Sequence, residues 1–577
     1  MESTGLITGG IANRFACPDW EDRIRAGASL VPDGARGINP ELTERTIGIY
    51  NRLRLPDVIG QPKLEVASGP WFREVVGTFL GSIDPVTGHR LIRELFMLAP
   101  KKSSKTSYGA ALMMTALLLN DRPRAEFLFV APTKLIAEVA FSQAAGMVLA
   151  DRSGFLQKRF QVQDHIKAIF DRKTKARLLI KSFDAKVLTG VKPVGTFIDE
   201  LHEIALNARA SDIIGQLRGG MLPFPEAFLA FITTQSSDQP AGAFKAELQT
   251  ARAIRDGTGD GAMMPIMYEF PESILQDKSE EPAWMKPENW AMVSPNLGRP
   301  FTIERLQEDF ETAKTKGKDE ICRWASQHLN IEIGLAYSTD AWPGAEFWEA
   351  AGDKGLTLDV LLSRCDSVTC GIDGGGLDDL LGFAVLGQDK RNPHMWLHWG
   401  HAWAHTSVLR RRKEIAPRLL DFARDGDVTI VERTGDDVQA VCNIIERIYN
   451  LGLMPPANCI GVDPIGIDQI TNELFMRGFS KDQIVGIPQG YRLNGALASV
   501  ERRLSGGELT HGASDMMAWC VGNCKIELKG NAASITKQVS GKAKIDPVIA
   551  LMNASRVMAL NPNAGASVYE ERGLRIA

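Results

Sequence analysis

The sequence predicts an α/β fold in two successive parts, the first built on a mainly parallel sheet and the second on a mixed sheet. Three observations predict it. The 577 residues are about four times a ~150-residue domain, so more than one core is expected. From Leu91 onward, short apolar runs rich in Val, Ile and Phe alternate with longer helical stretches, the pattern of strands joined by crossover helices. Near Ser367 the pattern restarts with SVTCGIDGGGLDDLLGFAVLG, a strand, a glycine turn and a returning strand, which antiparallel pairing requires.

The first ~60 residues are rich in Gly, Pro and charge and predict an arm of turns with one short helix over 1–60. The first sheet is placed within 61–265. ELFMLAP is a strand running into a polar turn and SYGAALMMTALLLN an apolar helix. AEFLFVAP is a second strand, followed by the helix TKLIAEVAFSQAAGMVLA. RLLIKSFD, GTFIDELHEI and AFLAFITTQ supply the third, fourth and fifth strands. Over 266–350 the β-runs stop. Proline, charge and tryptophan dominate, and a helical linker or lid is predicted whose tryptophans need somewhere to pack. The second part, 351–577, continues through LLGFAVLG, HMWLHWGHAW, DVTIVE, CIGVDP and QIVGIP to a last helix, KIDPVIALMNASRVMAL. The final ~17 residues look like a frayed tail.

Composition narrows the function classes. An apolar fraction of 44% and a charged fraction of 24% exclude a disordered or collagen-like chain. The start, MESTGLITGG, carries no basic and apolar leader, and the longest apolar run, Gly109–Leu119, is too short to span a bilayer, so a cytoplasmic protein is expected. Eight cysteines without a CxxC pair argue against zinc or a disulfide framework. A net charge of −4 leaves only a local basic surface for nucleic acid, such as the run Arg410–Arg411–Arg412–Lys413, which equally suits a solvated helix face. The histidines of HMWLHWGHAWAH tempt toward a metal, but strand alternation puts only His394 and His398 on one face, so hydrogen-bonded, satisfied strand histidines are expected.

After ELFML comes APKKSSKTS. A phosphate loop has Gly, four residues, Gly, Lys, then Ser or Thr. Here Ala99 and Ser104 stand in the glycine slots, with Lys105 and Thr106 after them. The context of strand, polar loop and helix survives, and the N–H groups at a helix start face an anion. Lys101, Lys102, Ser103, Ser104, Lys105 and Thr106 are the candidate ATP-binding residues, Lys105 reaching the β/γ-phosphates and Thr106 ligating Mg²⁺. GTFIDELHEI ends in Asp199–Glu200, with Asp199 suited to the Mg²⁺ shell and Glu200 to a general base. Thr233, Thr234 and Gln235 close a third strand and are placed to sense the γ-phosphate. A basic turn and a strand ending in solvated acids are the plainer readings of each piece; the two together favour a P-loop ATPase of the RecA/ASCE-like kind.

In the second part Asp373 projects from the hairpin's first strand, Asp463 ends a later strand and Asp546 begins the last helix. Such a hairpin opens RNase H-like sheets. Three acids from distant segments suit two Mg²⁺ or Mn²⁺ ions acting on a phosphodiester. Each acid also suits a cap or a turn when taken alone.

In order, GPWFREVVGTFLG, PKKSSKT, GVKPVGTFIDELHE, FITTQSS, PENWAMVSPNLG, GIDGGGLDDLLGFAVLG, VDPIG and KIDPVIALMNA resemble the large terminase subunit of tailed bacteriophages, the HK97-type group. The resemblance runs from about Gly69 to Leu560. It implies ATP-driven packaging of double-stranded DNA through a portal into procapsids, and a metal-dependent endonuclease that cuts concatemers. It implies a small terminase subunit and the portal as partners, a homo-oligomeric ring on the portal with a monomer in isolation, and the host cytoplasm as the setting. Carried over, Lys105 and Thr106 match the phosphate loop, and Asp199 and Glu200 the Walker B strand. Thr233–Gln235 match the coupling segment, and Asp373, Asp463 and Asp546 the nuclease acids, with Asp379 a fourth candidate. The family's loop carries Asn-Gly where Ser103–Ser104 stand, which demands a left-handed serine or a changed loop. The finger residue is left among Lys101, Lys102 and a trans Arg218. A helicase-like remodeller and a catalytically degenerate portal-docking scaffold are the alternatives.

Overall fold

The computed structural model of the chain describes residues 14–277, 279, 281–332, 342–464, 468–529, 532–537 and 543–560. It divides into two compact units, Met1–Ile333 and Gly334–Ala577. Each unit is α/β, the first on a mainly parallel sheet and the second on a mixed one, as the sequence predicts. No helix among the described residues is long and apolar enough to cross a membrane.

The first unit contains β1 (Glu94–Leu98), β2 (Glu126–Ala131), β3 (Phe160–Gln163), β4 (Ala168–Asp171), β5 (Arg177–Ser182), β6 (Gly195–Asp199), β7 (Phe228–Thr233) and β8 (Met263–Met267). They form one sheet in the order β3-β4-β5-β2-β6-β7-β1-β8, antiparallel only at the β3-β4-β5 edge. The central strands β6 and β7 are buried along their whole length. That is why their sequences are continuous apolar runs, as parallel strands covered on both faces require. Helix α1 (Lys105–Leu119) is apolar nearly all round and buried. It reaches the sheet through Gly109, where an added Cβ would lie 2.1 Å from the Phe197 ring of β6.

Three strands of the first unit, β3, β4 and β8, went unread in the sequence. β8 contains Pro265 and sits at the sheet edge, where the missing N–H costs no ladder bond. The N-terminal region is packed. Asn39 caps helix Pro40–Arg52 by accepting from Leu42 N at 3.0 Å, and Tyr50 of that helix is buried against Phe72, ring centroids 6.1 Å apart. Residues of the 266–332 segment belong to the first unit. Trp290 is buried, donating to Trp284 O at 2.8 Å and lying 5.1 Å from the Trp324 ring.

The second unit contains β9 (Cys365–Gly374), β10 (Leu380–Asp389), β11 (Trp396–His405), β12 (Val428–Val431), β13 (Ile460–Val462), β14 (Ile484–Gly486) and β15 (Leu509–His511), with β16 (Cys524–Lys529) and β17 (Ala532–Lys537) as a separate hairpin. The main sheet runs β12-β11-β10-β9-β13-β14, with β15 also on β11. β9, β10 and β11 form an antiparallel meander, and β13 adds parallel to β9. Leu380, Ala384 and Leu386 of β10 face one apolar layer while Leu381, Phe383 and Val385 face the other, the alternation of a sheet covered on both sides.

Helix α2 (Asp546–Leu560) lies on the first of these faces and is almost wholly buried. Glycines make its approach close. A Cβ at Gly371 would lie 1.9 Å from Ala550 O, one at Gly382 would lie 2.6 Å from Asp546 C, and one at Gly461 would lie 2.5 Å from Asn553 O. Asn553 Nδ2 donates to Ile372 O at 2.9 Å, and Thr369 Oγ1 donates to Ala554 O at 3.1 Å. The helix start is thereby held at one end of the sheet.

Candidate functional sites

Because β6, β7 and β1 are neighbours in parallel register, their C-terminal ends lie side by side: Asp199 pairs with Ile232, and Thr233 with Leu98. Sheet ends of this kind are where parallel α/β folds bind ligands. The structure therefore brings together the polar loop after β1, Asp199–Glu200 at the end of β6 and Thr233–Gln235 at the end of β7. Thr106 Oγ1 donates to Asp199 Oδ2 at 2.7 Å across 93 residues of sequence. Lys105 is buried, and its Nζ donates to Pro100 O at 3.0 Å within the loop.

Electrostatics follow from burial. The Lys105 ammonium is pulled down to about 8 by burial, opposed by the charges of Glu200 and Asp199. The Asp199 carboxyl is pushed up to about 6, first by burial and then by Glu200. Ser104 occupies the left-handed region at φ 56° and ψ 27° as it caps α1, and Lys102 lies at φ 69°. The serine thus takes the backbone form of the glycine it replaces, at a cost of roughly 1 kcal/mol. Glu200 is left-handed too, at φ 55°. Buried polar atoms left without a hydrogen bond include Ser103 Oγ, Glu200 Oε2 and Gln235 Nε2. Each such orphan costs about 1–3 kcal/mol. Ser103 Oγ and Gln235 Nε2 can donate, and together with the N–H groups at the start of α1 they fit an anionic, oxygen-rich ligand, whereas Glu200 Oε2 can only accept, as a base does. Thr106 with Asp199 is a hard-oxygen pair that fits Mg²⁺.

Several residues that brace this site were invisible in the sequence. Asn296 Nδ2 donates to Ser103 O at 2.9 Å while its Oδ1 accepts from Trp71 Nε1 at 2.9 Å. Lys101 N donates to Gln327 O at 2.7 Å, and Gln235 N to Asn330 Oδ1 at 3.2 Å. The 266–332 segment therefore ties down the loop after β1 at Lys101 and Ser103. His202, two residues past Glu200, also reaches the site. Arg218, the trans finger candidate, bonds both Glu94 and Glu247 of its own chain at 2.6–2.8 Å.

In the second unit Asp373 is the next-to-last residue of β9 and buried. β13 ends with Val462 opposite Ile372, so Asp463 follows at the same sheet end. Asp546 opens α2 there, and a Cβ on Gly374 would lie 3.2 Å from its Oδ1. The three sequence candidates share one end of the sheet. Gly374, Gly375 and Gly376 all have positive φ, 79° to 110°, which makes the turn after Asp373 a glycine-only path. Asp379, the fourth candidate, is bonded by the buried Lys544 ammonium, which also bonds Asp378 O. Arg412 of the basic run donates to Asp378 Oδ2 at 2.8 Å, bracing the same turn. Among the described residues no group of three or more His, Cys, Asp or Glu is placed to hold a metal ion. The donor chemistry, carboxylates only, fits Mg²⁺ or Mn²⁺, but no ready-made cage stands.

The histidine expectation needs two corrections, at His394 and at His398. His394 lies exposed in the turn before β11 and shares no strand face with His398. His401 bonds Thr429 Oγ1 at 2.9 Å and His405 bonds Glu432 O at 2.8 Å. His398 is buried with neither ring nitrogen bonded, and burial holds it neutral, down to about 3.

Among solved structures, the chain is similar to phage large terminases. The HK97 bacteriophage large terminase is 18% identical, with 89% of this chain and 99% of that chain covered and a TM-score of 0.44. The Thermus phage P74-26 large terminase ATPase domain is 12% identical over 44% of this chain and 93% of its own, TM-score 0.29. The large terminase nuclease from thermophilic phage G20c, with bound magnesium, is 12% identical over 38% of this chain and 98% of its own, TM-score 0.25. No family model and no curated protein sequence matches.

Proposed function

We propose that the chain is a packaging motor and nuclease. It hydrolyses ATP to drive double-stranded DNA through a portal into a procapsid, and it cuts concatemeric DNA at a metal-dependent centre. The observation that carries the motor half is the Thr106–Asp199 hydrogen bond beside the buried Lys105, which supports a phosphate-loop and Walker B pairing. Lys105 would leave Pro100 O for the β/γ-phosphates, and the open N–H groups of α1 would cradle them. Glu200 would take the proton of the attacking water at Oε2. Mg²⁺ held by Thr106 and Asp199 would neutralise charge on the phosphates.

For the nuclease half, Asp373, Asp463 and Asp546 would draw together around Mg²⁺ or Mn²⁺, which would supply Lewis acidity at the scissile phosphate. Partners in this proposal are double-stranded DNA, the portal and a small terminase subunit, with the chain acting as a ring on the portal in the host cytoplasm. A helicase-like remodeller would need a second parallel sheet of the first kind. The second unit is instead an antiparallel meander extended by parallel strands. The test is packaging itself: full chain, small subunit, ATP and portal-bearing procapsids, scored as DNA protected from nuclease. Protection by the wild type and none by Lys105→Ala is expected. Equal, background-level protection by both would favour the degenerate scaffold.

A further inference from the structure

We infer that His202 is a positioning residue that holds the Glu200 carboxylate in place for proton abstraction and ties it to the end of β7. The inference rests on the ATPase proposal above. Glu200 begins a one-turn helix, Leu201–Ile204, from a left-handed backbone at φ 55°. Its own N–H is used on Ile232 O at 3.0 Å and Asp199 Oδ1 at 3.1 Å, which fixes the main chain but not the side chain. Glu200 Oε2 is buried and makes no hydrogen bond. His202 Nδ1 lies 3.4 Å from it.

Two threonine hydroxyls crowd Nδ1. Thr233 Oγ1 lies 3.0 Å from it and accepts from the His202 backbone N at 3.2 Å, and Thr234 Oγ1 lies 3.5 Å from it. The ring hydrogen is assigned to Nδ1, from which the ring donates to Thr233 Oγ1 and has Glu200 Oε2 3.4 Å from the same atom. The ring is held by this bond and by an edge contact with Phe244, centroids 6.3 Å apart. Nε2 points the other way, 3.5 Å from Glu203 Oε1. Burial pulls the imidazole down to about 4, so it is a neutral donor at pH 7 and adds no charge beside the base. Glu200 is thus linked through one ring to the residues that close β7, so a shift of that strand end would move the base.

The test separates the two ring nitrogens. An Asn side chain places its amide N–H where Nδ1 stands, whereas a Gln side chain places it near Nε2. Steady-state ATP hydrolysis of the full chain with double-stranded DNA is measured for His202→Ala, His202→Asn and His202→Gln. Expected are a kcat lowered about tenfold or more for Ala and Gln, KM for ATP within about twofold of wild type for all three, and kcat for Asn within about threefold of wild type. Asn falling as far as Gln overturns the inference, as does a rise in KM at unchanged kcat. If Ala alone fails to fold, the Asn and Gln pair still decides. Wild-type turnover no higher than that of Lys105→Ala overturns the ATPase proposal itself and this inference with it.

Discussion

Replacing Gly371 by Ala should separate helix α2 from the sheet that positions Asp373. The added Cβ would lie 1.9 Å from Ala550 O and 2.5 Å from Ala554 N. Both are backbone atoms, so no rotamer change relieves the clash. Ordinary contact requires the helix to retreat by about 1.5 Å. The retreat strains the Asn553–Ile372 and Thr369–Ala554 hydrogen bonds, each worth about 1 kcal/mol. Overpacking itself costs about 1–3 kcal/mol, so a loss of about 3–5 kcal/mol in the second unit is expected. Asp546 rides on the same helix, and a displacement of about 1 Å at a reacting centre can cost on the order of a hundredfold in rate. The assay is urea unfolding of the full chain alongside Mn²⁺-dependent plasmid cleavage. Gly495→Ala serves as the control, since its methyl would meet nothing nearer than 3.8 Å. An unfolding midpoint and a cleavage rate for Gly371→Ala equal to those of the control would refute the close-packing argument.

Other predictions follow from the first unit. Asp199 keeps its proton up to about 6 in the folded chain, above its ordinary 3.8, so it contributes stability at pH below 3.8 that is lost as pH rises through about 6. Asp199→Asn should therefore stabilise the nucleotide-free protein by about 2–3 kcal/mol at pH 8 and by almost nothing at pH 4, while ending ATP turnover; thermal unfolding at both pH values checks it. The same titration should raise KM for Mg-ATP as pH falls below about 6. At the left-handed Ser104, Ser104→Gly should leave stability within about 0.5 kcal/mol, relief of strain being offset by a freer unfolded chain. Ser104→Val, β-branched, should cost about 2 kcal/mol; chemical denaturation distinguishes the two.

The parts of the fold that the sequence made legible are those written in long apolar runs. β6 and β7 are buried on both faces and read as strands without ambiguity, and the glycine run after Asp373 announces its own turn. β8 was hidden because Pro265 speaks against a central strand, and its edge position is decided only by tertiary order. The β3–β4 hairpin was hidden because each of its strands is only four residues long. At the first site the order Lys105, Thr106, Asp199 and Glu200 was readable because each follows a strand. Asn296, Gln327 and Asn330 were not, since a side chain or carbonyl bonding a distant stretch of backbone leaves no local pattern. His202 lay in plain view beside Glu200 but had no signal until Thr233 was found next to it. Lys544 likewise reads as one more lysine until the fold buries it against Asp379.

The most direct test of two separate phosphate chemistries on one chain is a paired measurement. ATP hydrolysis and Mn²⁺-dependent DNA cleavage are recorded in the same preparations of wild type, Lys105→Ala and Asp373→Asn, as full chains. Lys105→Ala should lose ATP turnover by about a hundredfold or more and keep its cleavage rate, and Asp373→Asn should do the reverse. Either substitution abolishing both activities, or Asp373→Asn cleaving like wild type, would contradict it.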